Sequence, residues 1–510
     1  MEIIELSQAL LIDLLKVLNI ETSQLFLYEN VRINKLCADS RKVQPNDFFV
    51  ATPCPQVMRN IEDAIQKGAI VVLASSDIIS EFSKKNIKSV IFVEHANPRL
   101  ALSLLAKAFF KIQPEVLMAV TGTNGKTSVV SIVRQLWELL GYSAVSFGTM
   151  GVMLTKQALS KGCMLPQMPS ELNTYDSLSF FHLLQSLAHA EINHAVFEAS
   201  SIGLDQFRIH GGQLEVAGFT NFTQDHLDYH QTMEDYFQAK AKLFSEVLSP
   251  GKTAVLNANS PYLERLKAIV IQRDIRMFTY AIDVPADIYA TRLKVRATNI
   301  AFDLHYDGKT YFDVVLNLSG AFQLENTLCA IGMLIASGIS LAEIVRMLPK
   351  LKSVAGRMEL IGQTPNSSCI YVDYAHTPDA LERALKSLRT HTEKSMWVVF
   401  GCGGDRDALK RPQMGKIASE LADKVIITDD NPRSEDAASI RQQILSQCDS
   451  NAQEIANRHQ AITYAIAHLE KGDTLLIAGK GHETGQIIGN VTYPFSDKQE
   501  AKEALIGLRS

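Results

Sequence analysis

The sequence predicts an α/β protein of three domains: a small N-terminal α/β domain over residues 1–99, a central one over 100–352 and a C-terminal one over 353–510. Three observations point there. At 510 residues the chain is about three domains long at ordinary domain size. Short apolar runs alternate with segments of helical spacing along its length. One run feeds directly into a Gly-containing turn and a helix, Thr121-Gly122-Thr123-Asn124-Gly125-Lys126-Thr127-Ser128.

In the first domain, residues 6–18 and 61–67 carry helical spacing, and 47–51, 69–74 and 89–93 read as strands. Between the first helix and the first strand lies a polar turn, Asp39-Ser40-Arg41-Lys42-Val43, which by itself reads as solvated.

The central domain opens on the apolar run 116–120, long enough for a buried strand, and the helical spacing of 129–140. Strand, glycine turn and helix in that order make a phosphate cradle. The turn amides and the positive helix end face one anionic site. Lys126 adds a mobile positive charge, and Thr127 adds a hydroxyl that reaches Mg²⁺. The loop departs from the general pattern, with Val120 where a first glycine would stand.

Two further junctions follow. In His194-Ala195-Val196-Phe197-Glu198-Ala199-Ser200-Ser201, Glu198 ends a strand as a ready Mg²⁺ ligand or, alternatively, as a helix-capping acid. Residues 220–230 bring Asp225, His226, Asp228 and His230 close together, more than a solvated loop needs. Residues 234–244 then read as a helix with Lys240 and Lys242, which on a bare helix would face solvent.

The last domain alternates again. Strands over 370–373, 396–400, 424–428 and 474–478 each end in a polar loop: 374–376, 401–406, 429–433 and 479–483. In an open parallel sheet, ligands sit beyond the carboxyl ends of strands. These four loops carry charges where a plain turn needs only Gly, Pro and Asn.

Composition narrows the classes. A net charge of −5 gives no reason to expect nucleic acid or a membrane surface as partner. Seven scattered cysteines show no metal spacing, and an odd count argues against a disulfide framework, so a reducing cytoplasm fits. Residues 1–5 lack the basic region of a signal peptide, and no run reaches the length of a membrane span.

The short loop T-G-T-N-G-K-T resembles the ATP loop of the Mur ligases and folylpolyglutamate synthetases. Together GTNGKT, DHLDYH, DYAHTPDALE, GCGGDRD, DNPR and GKGHE, in this order, resemble the Mur ligase family from about residue 38 to the C-terminus. The resemblance implies a domain for the UDP end of the substrate, a central ATP domain and a Rossmann-like amino-acid domain. It implies Ser40, Asn173, Thr174, Ser200, Gln206 and Arg208 as contacts of a UDP-linked substrate. It implies Gly122 to Ser128, Asn326, Arg357, Asp373 and His376 as ATP contacts, and Thr127, Glu198, His226 and Lys240 around Mg²⁺. Lys240 would be modified by CO₂ to a carbamate. Lys126, Glu198, His226 and Lys240 would be the catalytic set. Arg406, Asp430, Asn431, Pro432, Arg433, Gly479 and Glu483 would receive the amino acid.

The implied reaction is ATP-dependent amide formation in peptidoglycan precursor synthesis. A carboxylate of UDP-N-acetylmuramoyl-L-alanyl-D-glutamate attacks the γ-phosphoryl group of ATP, and meso-2,6-diaminopimelate then attacks the acyl phosphate. A cytoplasmic monomer is expected. Three places depart from the family pattern: Ile202 where a histidine is usual, Asn173 and Tyr175 in place of T-T-P, and the 54–59 segment. Two alternatives stay open: the same scaffold adding L-lysine, and a homologue that holds nucleotide without turnover.

Overall fold

The structure, a computed structural model, describes residues 9–20, 30–85, 89–168 and 173–508. The expected absence of a signal peptide at residues 1–5, and the start of the helix expected from residue 6, lie outside the described residues. The chain forms two compact units, one of residues 1–119, 143–215 and 239–252, the other of 120–142, 216–238 and 253–510.

The first unit holds a four-stranded parallel sheet, Leu36–Cys37, Phe48–Val50, Val71–Ala74 and Ile91–Glu94, paired in that order. All of Phe48–Val50 and Val71–Ala74 is buried, as uninterrupted apolar runs in a parallel sheet require. The helix expected over 61–67 begins earlier and spans Val57–Gln66, with Ile61 and Ala64 buried. Residues 57–59 of the departing segment are therefore the first turn of a helix. Elsewhere in this unit Ala144–Gly148 pairs parallel with His194–Glu198 and antiparallel with Gly151–Leu154.

The second unit carries the helix Lys126–Leu139 and two sets of strands. Val216–Phe219, Thr253–Asn257, Arg276–Ile282 and Ile288–Val295 run parallel; Ile300–Tyr306 and Lys309–Leu316 extend them antiparallel. The other set has the order Glu359–Gln363, Cys369–Asp373, Thr474–Ala478, Met396–Phe400, Lys424–Ile427 and Ala452–Glu454. All its pairs are parallel except the first. Alternation with period two divides its residues between two cores. Tyr371, Met396, Val398 and Phe400 pack with Leu381, Leu385 and Met414 on one face. Ile370, Val372, Trp397 and Val399 pack with Ile462, Ile466 and Leu505 on the other. Helices on both faces of a mainly parallel sheet confirm the α/β expectation. Thr474–Ala478 lies between Cys369–Asp373 and Met396–Phe400, and because these strands are parallel the polar loops after them share one edge.

Candidate functional site

The phosphate loop joins the strand Val116–Thr121 to the helix Lys126–Leu139. Gly125 caps the helix at φ 88°, and a Cβ there would fall 2.2 Å from Asn326 Oδ1, so only glycine fits. The bond from Val129 N to Gly125 O closes the first turn, and the N–H groups of residues 126–128 lie in that turn, where an α-helix offers them no carbonyl four residues back. The amides of Thr123 and Asn124 are already taken, by Asn221 O and Asn221 Oδ1, both at 2.9 Å. The cradle is thus narrower than eight consecutive residues suggest. Lys126 Nζ donates to Gly122 O at 2.8 Å and Thr123 O at 2.9 Å.

The distant ATP candidates converge on this loop. Arg357 Nη2 donates to Thr127 Oγ1 at 3.0 Å, and its guanidinium lies 4.3 Å from the Tyr374 ring centre. Its Nε is buried without a hydrogen-bond partner among the described residues, a donor still to be satisfied. Asn326 donates to Gln323 Oε1, and Gln323 donates to Arg357 O. Asp373 accepts from Met358 N at 2.6 Å; burial, only partly offset by Arg357, pushes its pKa up to about 6. His376 Nδ1 donates to Tyr374 O at 2.8 Å, and burial together with Lys410 lowers its pKa to about 4. It is neutral at pH 7.

His226 takes the left-handed φ of 53° at the start of the helix Leu227–His230 and lies 3.5 Å from Asp225 Oδ2. Burial disfavours the Asp225 charge, but His226, His376 and Lys410 outweigh it and hold the carboxyl below its usual range. Asp228 is exposed, whereas His230 is buried against Tyr236. The helix expected over 234–244 runs Met233–Lys242 and widens into a π-helical turn, Leu243–Val247. Lys240 is 1% exposed, not solvent-facing.

In the first unit Glu198 is buried and accepts from Thr149 N at 2.9 Å and Thr149 Oγ1 at 3.0 Å. Thr174 Oγ1 donates to Glu198 O and accepts from Ser200 N, both at 2.9 Å. Arg208 Nη1 donates to Thr174 O at 2.6 Å and Nη2 to Gln206 Oε1 at 2.8 Å. Ser200 caps the helix Ser201–Asp205, in which Ile202 is half-buried. Thr174, Ser200, Gln206 and Arg208 therefore form one cluster beside Glu198. Asn173 is exposed, and Tyr175 stacks on Phe147. Ser40 sits in a short 3₁₀ turn capped by Asp39, with its carbonyl accepting from Lys67.

The amino-acid candidates lie on the second unit's polar loops. Asn431 Nδ2 donates to Glu483 Oε2, and Lys480 Nζ donates to Asn431 Oδ1 and Glu483 Oε2, all at 2.9 Å. Gly479, at φ 113°, brings its backbone against Asp430: a Cβ would stand 2.7 Å from Asp430 Oδ2. Arg433 takes φ 52°, and its Nη1 donates to Gly404 O at 2.7 Å. It makes no ion pair among the described residues. Arg406 is exposed and donates to its neighbour's carbonyl.

A model of the Mur ligase middle domain matches residues 120–334, and one of the Mur ligase glutamate ligase domain matches 356–481. The chain belongs to the Mur ligase family. The UDP-N-acetylmuramoyl-L-alanyl-D-glutamate–2,6-diaminopimelate ligase of Zymomonas mobilis is 44% identical over 92% of this chain and 94% of that one. The ligase of the same name from Agrobacterium fabrum is 42% identical over 96% of both. A solved structure of a ligase of that name superposes with a TM-score of 0.69 at 30% identity, covering 97% of this chain and 99% of the other.

Several residues that bond to these candidates were not singled out from sequence. Asp379 accepts from the loop's Asn124 Nδ2 at 3.0 Å, and Thr220 Oγ1 donates to Asn124 O at 2.6 Å. Thr149 holds Glu198, and Lys480 ties Asn431 to Glu483. Lys480 alone left a legible signal, a charge flanked by glycines at a strand end. Among the described residues no three His, Cys, Asp or Glu side chains group as a metal site. The expected ligand set contains only two such residues.

Proposed function

We propose that this chain is the ATP-dependent ligase that adds meso-2,6-diaminopimelate to UDP-N-acetylmuramoyl-L-alanyl-D-glutamate, a step in peptidoglycan precursor synthesis. The names of its relatives support this, and one observation carries the choice of amino acid. Arg433 reaches the amino-acid loops with a guanidinium tied to a single carbonyl. Diaminopimelate differs from lysine by one carboxylate, which a planar guanidinium binds through two parallel hydrogen bonds. Asn431, Glu483 and Gly479 would meet the rest of that end.

The residues suit the chemistry. Lys126 and the amides of residues 126–128 offset the charge of the transferring γ-phosphoryl group, and Arg357 steadies Thr127 beside it. Thr127, Glu198 and His226 offer a hydroxyl, a carboxylate and an imidazole. A buried ammonium at Lys240 is costly, and conversion to a carbamate turns it into an anion with hard oxygen donors. Such a set would hold Mg²⁺, whose charge would stabilise the phosphoryl group. Thr174, Ser200, Gln206 and Arg208 would bind the sugar–peptide part of the substrate, and Ser40 its UDP end. The D-glutamyl carboxylate attacks the phosphoryl group, and the diaminopimelate amine attacks the acyl carbon as phosphate leaves. Water must be excluded meanwhile, or the acyl phosphate hydrolyses. We place this monomeric enzyme in the cytoplasm and keep the domain limits at 99 and 352.

The test is product identification with a panel of amino acids. Phosphate release should require both the UDP-linked dipeptide and diaminopimelate. Lys240→Ala should abolish ligation, with partial rescue by short carboxylates; near-normal activity of that variant would remove the carbamate from the scheme.

A further inference from the structure

One buried charge has no part in that scheme. Arg458 begins the helix Arg458–Ala467 and is 2% exposed. Its Nε donates to Asp497 Oδ1 at 2.7 Å and its Nη2 to Asp497 Oδ2 at 2.8 Å. Asp497, which begins the helix Asp497–Gly507, is fully buried. The remaining donors leave the pair and reach two separate backbones. Nη2 donates to Ala478 O at 2.8 Å and Nη1 to Asp429 O at 3.3 Å. Ala478 ends its strand immediately before Gly479, and Asp429 immediately precedes Asp430. One planar group therefore spans the roots of both loops that carry Asn431, Arg433, Lys480 and Glu483. Its charge also attracts Asp430 and Glu483.

We infer that the Arg458–Asp497 pair is a positioning device that fixes the separation of the 430–433 and 479–483 loops and thereby sets amino-acid selection. A buried ion pair is weak evidence for stability, because apolar residues of similar volume often replace it without loss. Four bonds in one rigid fork are a different matter. They determine geometry at the roots of two loops from distant parts of the chain, whose tips are tied separately by Lys480, Asn431 and Glu483. Arg458 touches no reacting atom; it acts through the carbonyls of Ala478 and Asp429. The inference rests on the ligase reading given above.

The test uses the full-length chain. In Arg458→Lys the charge still reaches Asp497, but an ammonium cannot bridge both carbonyls and both carboxylate oxygens in one plane. The KM for diaminopimelate should rise about 10–100-fold. The KM for ATP should hold within about twofold, and the preference over L-lysine should fall. Arg458→Met combined with Asp497→Leu removes both charges together and should fold even if the lysine variant does not. It should show the same split. Hydrogen exchange at the amides of Asn431 and Gly479 should quicken in either variant, a readout independent of turnover. Unchanged diaminopimelate KM and exchange in a folded variant would overturn the inference, as would parallel loss of ATP and diaminopimelate binding. If the unmodified chain forms no amide with diaminopimelate, the ligase reading fails instead, and the exchange measurement still decides the positioning role.

Discussion

The proposed phosphate loop draws on eight consecutive residues, 121–128, whereas the proposed amino-acid loops come from strand ends between residues 401 and 483. The first is shaped by a strand end and a glycine cap, and is tied at Asn124 by Asn221, Thr220 and Asp379. The second is held by buried arginines. Arg411 donates to Gly403 O and Glu435, Arg441 pairs with Asp429 and Glu454, and Arg458 joins Asp429 to Ala478. The difference teaches where each site is fragile. A contiguous loop fails through a single residue within it. An assembled site shifts its selectivity when the parts beneath it move.

The largest expected effect is at the loop. Lys126→Ala should lower ADP formation by about 10³-fold, since it removes the charge proposed to offset that of the phosphoryl group. A loss of less than about tenfold would mean that phosphate is handled elsewhere. Next comes the assembled site: Arg433→Ala should cut the preference for meso-diaminopimelate over L-lysine by about 10²-fold, mainly through diaminopimelate affinity. Comparable kcat/KM for the two amino acids in the unmodified enzyme would refute the role proposed for Arg433.

A smaller effect comes from Asp373, between the two regions in chain order. Its folded pKa of about 6 lies above the ordinary carboxyl value. The native state therefore holds this proton more tightly than the unfolded chain. Its contribution to stability is full below about pH 4 and is lost as pH rises through 6. Asp373→Asn should flatten that dependence by no more than about 2–3 kcal/mol, read from melting midpoints between pH 4 and 7. An unchanged slope would show that Asp373 is ionised throughout. The smallest effect is at Ile202. Restoring an imidazole with Ile202→His should change kcat by less than about threefold, because Thr174, Ser200 and Arg208 already form their cluster without it. A much larger gain would reveal a catalytic deficit in this chain.

The contrast between the regions also explains what could be read in advance. The strand–turn–helix at residues 116–140 was legible because hydrophobic run, glycines and helical spacing are local properties. So were the four parallel strands of the last domain and the charged loops beyond them, which the structure gathers at one edge. Less legible were the ends of elements. The helix at Val57–Gln66 begins four residues early because Val57 and Met58 pack on the sheet's core. The π-helical turn after Lys242 and the antiparallel strands beyond Ile288–Val295 left no distinct pattern.

By itself, then, the sequence determined the α/β class, the phosphate loop, the family and the charged strand ends, because these depend on short-range periodicity and residue order. Only the tertiary structure decided which side chains complete the sites. Asp379 meets Asn124 across 255 positions, and Arg357 meets Thr127 across 230. Lys240, which a bare helix would expose, is buried, and Arg458 is an ion-paired strut beneath two loops. Each of these depends on which distant backbone comes to lie alongside, and on the need of a buried charge or donor for a partner, neither of which is written in neighbouring residues.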